Sequence, residues 1–128
     1  IRGEYTITQA DYTSGRVFPD ALCYAFYPVD LHDKRTGIRP AHLAEGVVAT
    51  VPLRALVPKG AKNLLVAGRC VSSDRGANSG LRVEAACMAM GQAAGAAAAC
   101  AARRGCTPLE VPLVEIKAAL RAQGAIVP

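Results

Sequence analysis

The sequence predicts a mixed α/β fold, and three observations predict it. Short apolar runs bounded by glycine and proline recur at 4–7, 20–31, 47–57 and 63–67. A long alanine-rich stretch, about 83–104, has no β-branched residue after Val83, and alanine is the best helix former. A second, amphipathic stretch occupies about 112–123. With 128 residues, 52% of them apolar, the chain fits one ordinary domain or a piece of a larger one. Only 5% is aromatic, and a core so rich in alanine packs tightly only when its helices have close neighbours.

In chain order, Glu4-Tyr5-Thr6-Ile7 reads as a short strand. Thr8 with Asp11 three residues on is an N-cap signal for the turn of helix that follows. Residues 20–31 read as one buried strand, and His32-Asp33-Lys34-Arg35-Thr36-Gly37 as a loop. Pro52 interrupts the β-branched run 47–57, which predicts an edge strand or two short strands meeting at a bend. Pro58-Lys59-Gly60 is a turn, and Asn63-Leu64-Leu65-Val66-Ala67 reads as a fully buried strand stopping at Gly68.

The polar run 69–80 reads as a loop that delivers Asn78-Ser79-Gly80 to the start of the long helix. Arg103 and Arg104 followed by Gly105 suit that helix's C-terminus. Its length would permit a membrane span, with Gly91 and Gly95 as a packing motif. Alanine contributes little to insertion, however, and Gln92 lies inside the run, so a helix buried in an α/β protein and no membrane are expected. Near the end, Pro112 opens the last helix and Gly124 closes it.

Composition excludes several classes. The net charge of +5 is scattered and not interleaved with aromatics, which argues against nucleic-acid binding. Five cysteines, an odd number with no CxxC pair, indicate neither a disulfide framework nor a metal site. Reduced thiols and a cytoplasmic location are expected. The chain opens at Ile1 directly into patterned sequence, so a fragment of a longer product is expected.

The unit able to carry chemistry is strand, Gly68, polar loop, long helix. Ligands of open α/β sheets bind beyond the C-terminal ends of strands. A helix N-terminus adds unpaired N–H groups and partial positive charge. An oxygen acceptor held between Gly68 and the start of the long helix is therefore one reading; an ordinary connection with a capping Asn or Ser is the other.

The run Asn63 to Ser72 (NLLVAGRCVS), then Leu81-Arg82-Val83, then Cys87-Met88-Ala89-Met90-Gly91-Gln92-Ala93-Ala94-Gly95, resembles the closing segment of FAD-dependent oxidoreductases of the glutathione reductase type. Gly3-Glu4-Tyr5, Phe18-Pro19-Asp20-Ala21, Tyr27 to His32 and Pro52 to Pro58 resemble the same family in order. The resemblance implies the C-terminal portion of a Rossmann-like FAD/NAD(P)-binding flavoprotein. Residues 1–58 would belong to a substrate-side β region and 59–128 would close the FAD-binding domain. It implies FAD as cofactor, with the flavin near Gly68 and Arg69 and its pyrimidine-side carbonyl facing Asn78, Ser79, Gly80, Leu81, Arg82 and Val83. Arg82 either adds charge there or pairs with Glu84 or another carboxylate.

One departure accompanies the resemblance: no GxGxxG occurs in these residues, and that fingerprint holds the ADP half of FAD. The upstream FAD-binding region is thus an implied partner, and the isolated chain is expected to bind FAD weakly and to self-associate. Asp30 and His32, with Asp33 beside them, are the candidate catalytic groups toward a small-molecule substrate. A turn carrying an exposed histidine is the alternative. Cys70 reads as a small packed residue. Against the oxidoreductase stands a second class, a non-catalytic module that docks or oligomerises through its alanine-rich helix.

Overall fold

The computed structural model describes residues 1–33 and 37–128; the side chains of His32, Asp33, Ile38 and Arg39 lie outside the description as well. Helix and strand are mixed. Residues 3–7 do not form a strand of their own. They are clasped between two later segments, with bridges Gly3–Pro58 and Ile7–Ser73. Glu4 and Tyr5 donate backbone bonds to Val57 and Arg54, and Ile7 donates to Ser72. Ile7 is fully buried there.

Helix α1, Gln9–Thr13, starts at Thr8, which exchanges side-chain and backbone hydrogen bonds with Asp11 in a capping box. The apolar run 20–31 divides. Strand β1 is Ala21–Ala25 and β2 is Val29–Asp33. The intervening Phe26-Tyr27-Pro28 belongs to neither strand, and Pro28 has no N–H to give to a ladder. β1 pairs antiparallel with β4, Ala49–Pro52, in the register Cys23–Val51, Tyr24–Thr50 and Ala25–Ala49. β2 pairs with β3, Gly37–Ala41, as a separate two-stranded hairpin. Beyond β4 the expected second strand is instead α2, Leu53–Leu56, with Pro52 as its N-cap residue. Proline's fixed φ suits a helix entrance as well as it suits a strand end.

The stretch 63–67, expected as a buried strand, forms no strand and pairs with none. Its anchoring bond runs from Val66 N to Leu56 O. Leu64 is 54% exposed. Apolar content alone does not make a strand; a neighbouring ladder does, and the described residues provide none beside it.

The expected loop 69–80 contains a helix. Gly68–Cys70 is a single 3-10 turn, and α3 spans Arg75–Leu81 with Asp74 as N-cap, accepting from Ala77 N at 2.8 Å. The same Asp74 carboxylate accepts from Gln9 N at 2.8 Å, so one side chain caps α3 and braces the start of α1. Gly76 and Gly80 made this stretch read as loop. Their true role is close packing, since a Cβ on either would collide with Gln9 or Tyr12.

Arg82 closes α3, extended Val83 turns the chain, and α4 runs Glu84–Arg104. Gly105, at φ 66°, ends it, with Cys106 N donating back to Ala101 O. Ala86, Met90, Ala93, Ala97 and Cys100 form its buried stripe. That stripe packs on β1 and on α5, Leu113–Ala122, whose Ile116 and Leu120 are buried. Each such aliphatic side chain contributes about 1.5–3 kcal/mol. α4 is long and apolar enough to cross a membrane by length and composition alone, a test that core helices also pass. Its opposite stripe is uncovered: Met88 is 68% exposed, and nothing lies near Gly91 or Gly95.

Candidate functional site

The Gly68–Cys70 turn sits against the first turn of α4. Gly68 has φ 78°, a conformation that favours glycine, and a Cβ there would stand 3.6 Å from Cys87 Sγ. Asn78 fixes the turn from α3, its amide donating to Arg69 O at 3.2 Å and Ser73 Oγ at 3.1 Å. Cys70 Sγ donates to Ala67 O, and the Arg69 side chain faces solvent.

The N-terminus of α4 has no side-chain cap on Val83. Its first backbone bond runs from Cys87 N to Val83 O, so the amides of Glu84, Ala85 and Ala86 precede the helical ladder. Glu84 and Ala85 are exposed. An uncapped end of a 21-residue helix beside a left-handed glycine turn suits a carbonyl or anionic oxygen. The helix start agrees with the sequence expectation of about 83–104, whereas Asn78-Ser79-Gly80, expected as a loop just before it, lie inside α3.

The other expected cofactor residues lie within α3. Ser79 Oγ donates to Gly76 O at 2.7 Å and accepts from Asp30 N at 3.0 Å. Gly80 packs on the Tyr12 ring, and Leu81 is fully buried. Arg82 turns toward Asp30, donating to its carbonyl at 3.4 Å with the carboxylate at 4.0 Å. The carboxylate beside Arg82 is that of Asp30 rather than Glu84. His32 pairs through its backbone with Ile38 in the β2–β3 hairpin; its side chain, like that of Asp33, lies outside the described residues.

A second polar cluster escaped the sequence reading. Asp20 holds Arg54 through both carboxylate oxygens, at 3.0 and 3.1 Å. The Arg54 guanidinium lies 5.3 Å from the Tyr5 ring centre, and that of Arg16 lies 4.9 Å from Phe18. Tyr5 donates to Asp11 at 2.7 Å, and Arg16 pairs with the same acid at 2.8 Å. Burial alone would push the Asp11 carboxyl up. Hydrogen bonds from Arg16, Thr8 and Tyr5 outweigh it and hold the carboxyl well below the usual range. Only the Thr8–Asp11 pair of this cluster was visible in sequence; the other partners lie on separate elements.

The left-handed glycine turn lets the backbone approach a flat ring closely, and the α4 end leaves amides outside the helical ladder for a carbonyl oxygen. The ADP half finds no cradle, because the described strands form two antiparallel pairs and no parallel βαβ unit. Independently, the family model described as FAD dependent oxidoreductase matches residues 1–120. The chain belongs to that family. FAD is accordingly the family's cofactor. No curated protein and no solved structure matched the chain. Among the described residues no cluster of ligating side chains suits a metal ion, and all five cysteines are free.

Proposed function

We propose that this FAD-dependent oxidoreductase chain is the flavin-closing part of a larger enzyme of the glutathione reductase type, which moves a hydride between an organic substrate and FAD. The observation that carries the reading is the uncapped α4 N-terminus set against the Gly68 turn. Gly68, Arg69, Val83 and the amides of Glu84 to Ala86 would hold the flavin end of the cofactor. FAD, when bound, supplies the two-electron acceptor. The chain's own contribution is electrostatic: the positive helix end favours negative charge on a pyrimidine-side oxygen over a neutral one.

On the substrate side, a hydride leaving an organic molecule is accompanied by a proton that needs an acceptor. His32 has the right residue type for that transfer. The Asp30 backbone N–H donates to Ser79 and its carboxylate stands 4.0 Å from Arg82, so beside His32 its role would include placing β2. The ADP half would be held by an upstream region with the glycine-rich fingerprint. The free cysteines suit a reducing, cytoplasmic setting.

A docking or oligomerisation module is the second reading, favoured by the open stripe of α4 around Met88, Gly91 and Gly95. FAD titration of the full-length parent and of this chain, followed by flavin absorbance and fluorescence, separates the two. Binding by the parent with weak or absent binding by the isolated chain is expected. A parent that binds no flavin would overturn the oxidoreductase reading and leave the docking module.

A further inference from the structure

Three side chains from two helices grip one short stretch of backbone. Tyr12 Oη of α1 donates to Tyr27 O at 2.7 Å. Ser79 Oγ of α3 accepts from Asp30 N at 3.0 Å, and Arg82, at the end of α3, donates to Asp30 O at 3.4 Å. The gripped segment, Tyr27 to Asp30, is where the chain leaves β1 and enters the β2–β3 hairpin. That hairpin forms a sheet of two strands, and such a ribbon is marginal by itself. Its position on the body of the protein therefore depends on what holds its base.

The gripping residues are themselves well fixed. Tyr12 is 1% exposed with Gly80 packed on its ring, and Ser79 is 4% exposed. Ser79 is spent twice, donating to Gly76 O while it accepts from Asp30. Arg82 stands one residue before Val83, the residue from which α4 springs. The base of the hairpin is thus tied to the α3–α4 elbow, and the other side of that elbow is the uncapped helix end.

We infer that Tyr12, Ser79 and Arg82 are positioning residues. They set the β2–β3 hairpin at a fixed place relative to the first turn of α4, and so set where substrate-side groups stand relative to the flavin. The functional half of this inference rests on the flavoprotein reading above; the clamp itself does not. Arg82 in this role acts through Asp30 and not as a charge on the cofactor.

The test uses the full-length protein with Tyr12→Phe, Ser79→Ala, Arg82→Gln and Arg82→Lys. Hydrogen–deuterium exchange over residues 27–33 reads the clamp. Flavin content, and the rate at which sulfite adds to the flavin as a small probe of access, read the consequence. Loss of one anchoring bond is expected to speed exchange in that segment about tenfold, with flavin content retained and the sulfite rate altered. Arg82→Lys, which keeps the charge and a donor, is expected to recover part of both effects. The inference fails if exchange over 27–33 is unchanged in all of Tyr12→Phe, Ser79→Ala and Arg82→Gln. It fails equally if Arg82→Gln strips the flavin without changing that exchange, since Arg82 would then be a cofactor contact. Wild-type protein without flavin would overturn the functional half and the flavoprotein reading together, while the exchange data would still decide the clamp.

Discussion

Gly80 lies flat against Tyr12: a Cβ at Gly80 would stand 2.5 Å from the Cζ and hydroxyl oxygen of that ring. The ring cannot swing away cheaply, because it is buried and its hydroxyl is committed to Tyr27 O. Gly80→Ala is therefore expected to cost about 1–3 kcal/mol through overpacking, read as a lower urea midpoint at unchanged m-value. A change within about 0.5 kcal/mol, the range of an ordinary surface substitution, would mean that α3 and α1 are less tightly joined than the geometry requires.

The Asp11 cluster makes acid stability a question of sign. Its carboxyl sits below the usual range in the folded chain, despite burial, because Arg16, Thr8 and Tyr5 all bond it. A depressed folded pKa contributes stability that is complete above the unfolded value, near 4, and is lost as pH falls through the folded value. Stability is therefore expected to decline below about pH 4. Asp11→Asn should be less stable at neutral pH and should lose much of that acid dependence. Equal pH slopes for the two proteins in urea melts between pH 2 and 6 would remove Asp11 from the account.

Thiol reactivity should sort by burial. Cys23 lies in β1 with its pKa pushed up to about 12 by desolvation, and Cys100 is fully buried in α4. Cys70 is exposed on the 3-10 turn. Under native conditions a disulfide reagent is expected to modify Cys70 first, and to reach Cys23 and Cys100 only after unfolding. Early modification of Cys23, mapped by peptide mass, would show that the β1–β4 pair opens readily.

The uncovered stripe of α4 sets the behaviour of the isolated chain. Met88 projects at 68% exposure, and Gly91 and Gly95 leave space for another backbone. Self-association that grows with concentration is expected in light scattering, and Met88→Glu should weaken it by placing a charge in the stripe. A monodisperse monomer at all concentrations would show that this face is tolerated in water.

Local chemistry was legible from the sequence because it depends on neighbours in the chain. Thr8 and Asp11 cap α1 by a bond spanning three residues. The alanine run makes a helix without help, and Gly105 stops it where only a left-handed residue fits. The motifs around Gly68 and Gly91 pointed to the family for the same reason, since they are contiguous. What the sequence hid was long-range. Asp74 reads as one more polar residue until it is seen capping α3 while accepting from Gln9 of α1. Gly76 and Gly80 signalled a loop, whereas packing against Gln9 and Tyr12 required glycine inside a helix. The apolar run 63–67 shows the reverse case, since pairing needs a second strand and no property of Leu64 or Val66 can supply one. Arg82 is the clearest instance. Its charge was plain in the sequence, but only the fold, by bringing β2 against α3 across 52 residues of chain, set Asp30 beside it.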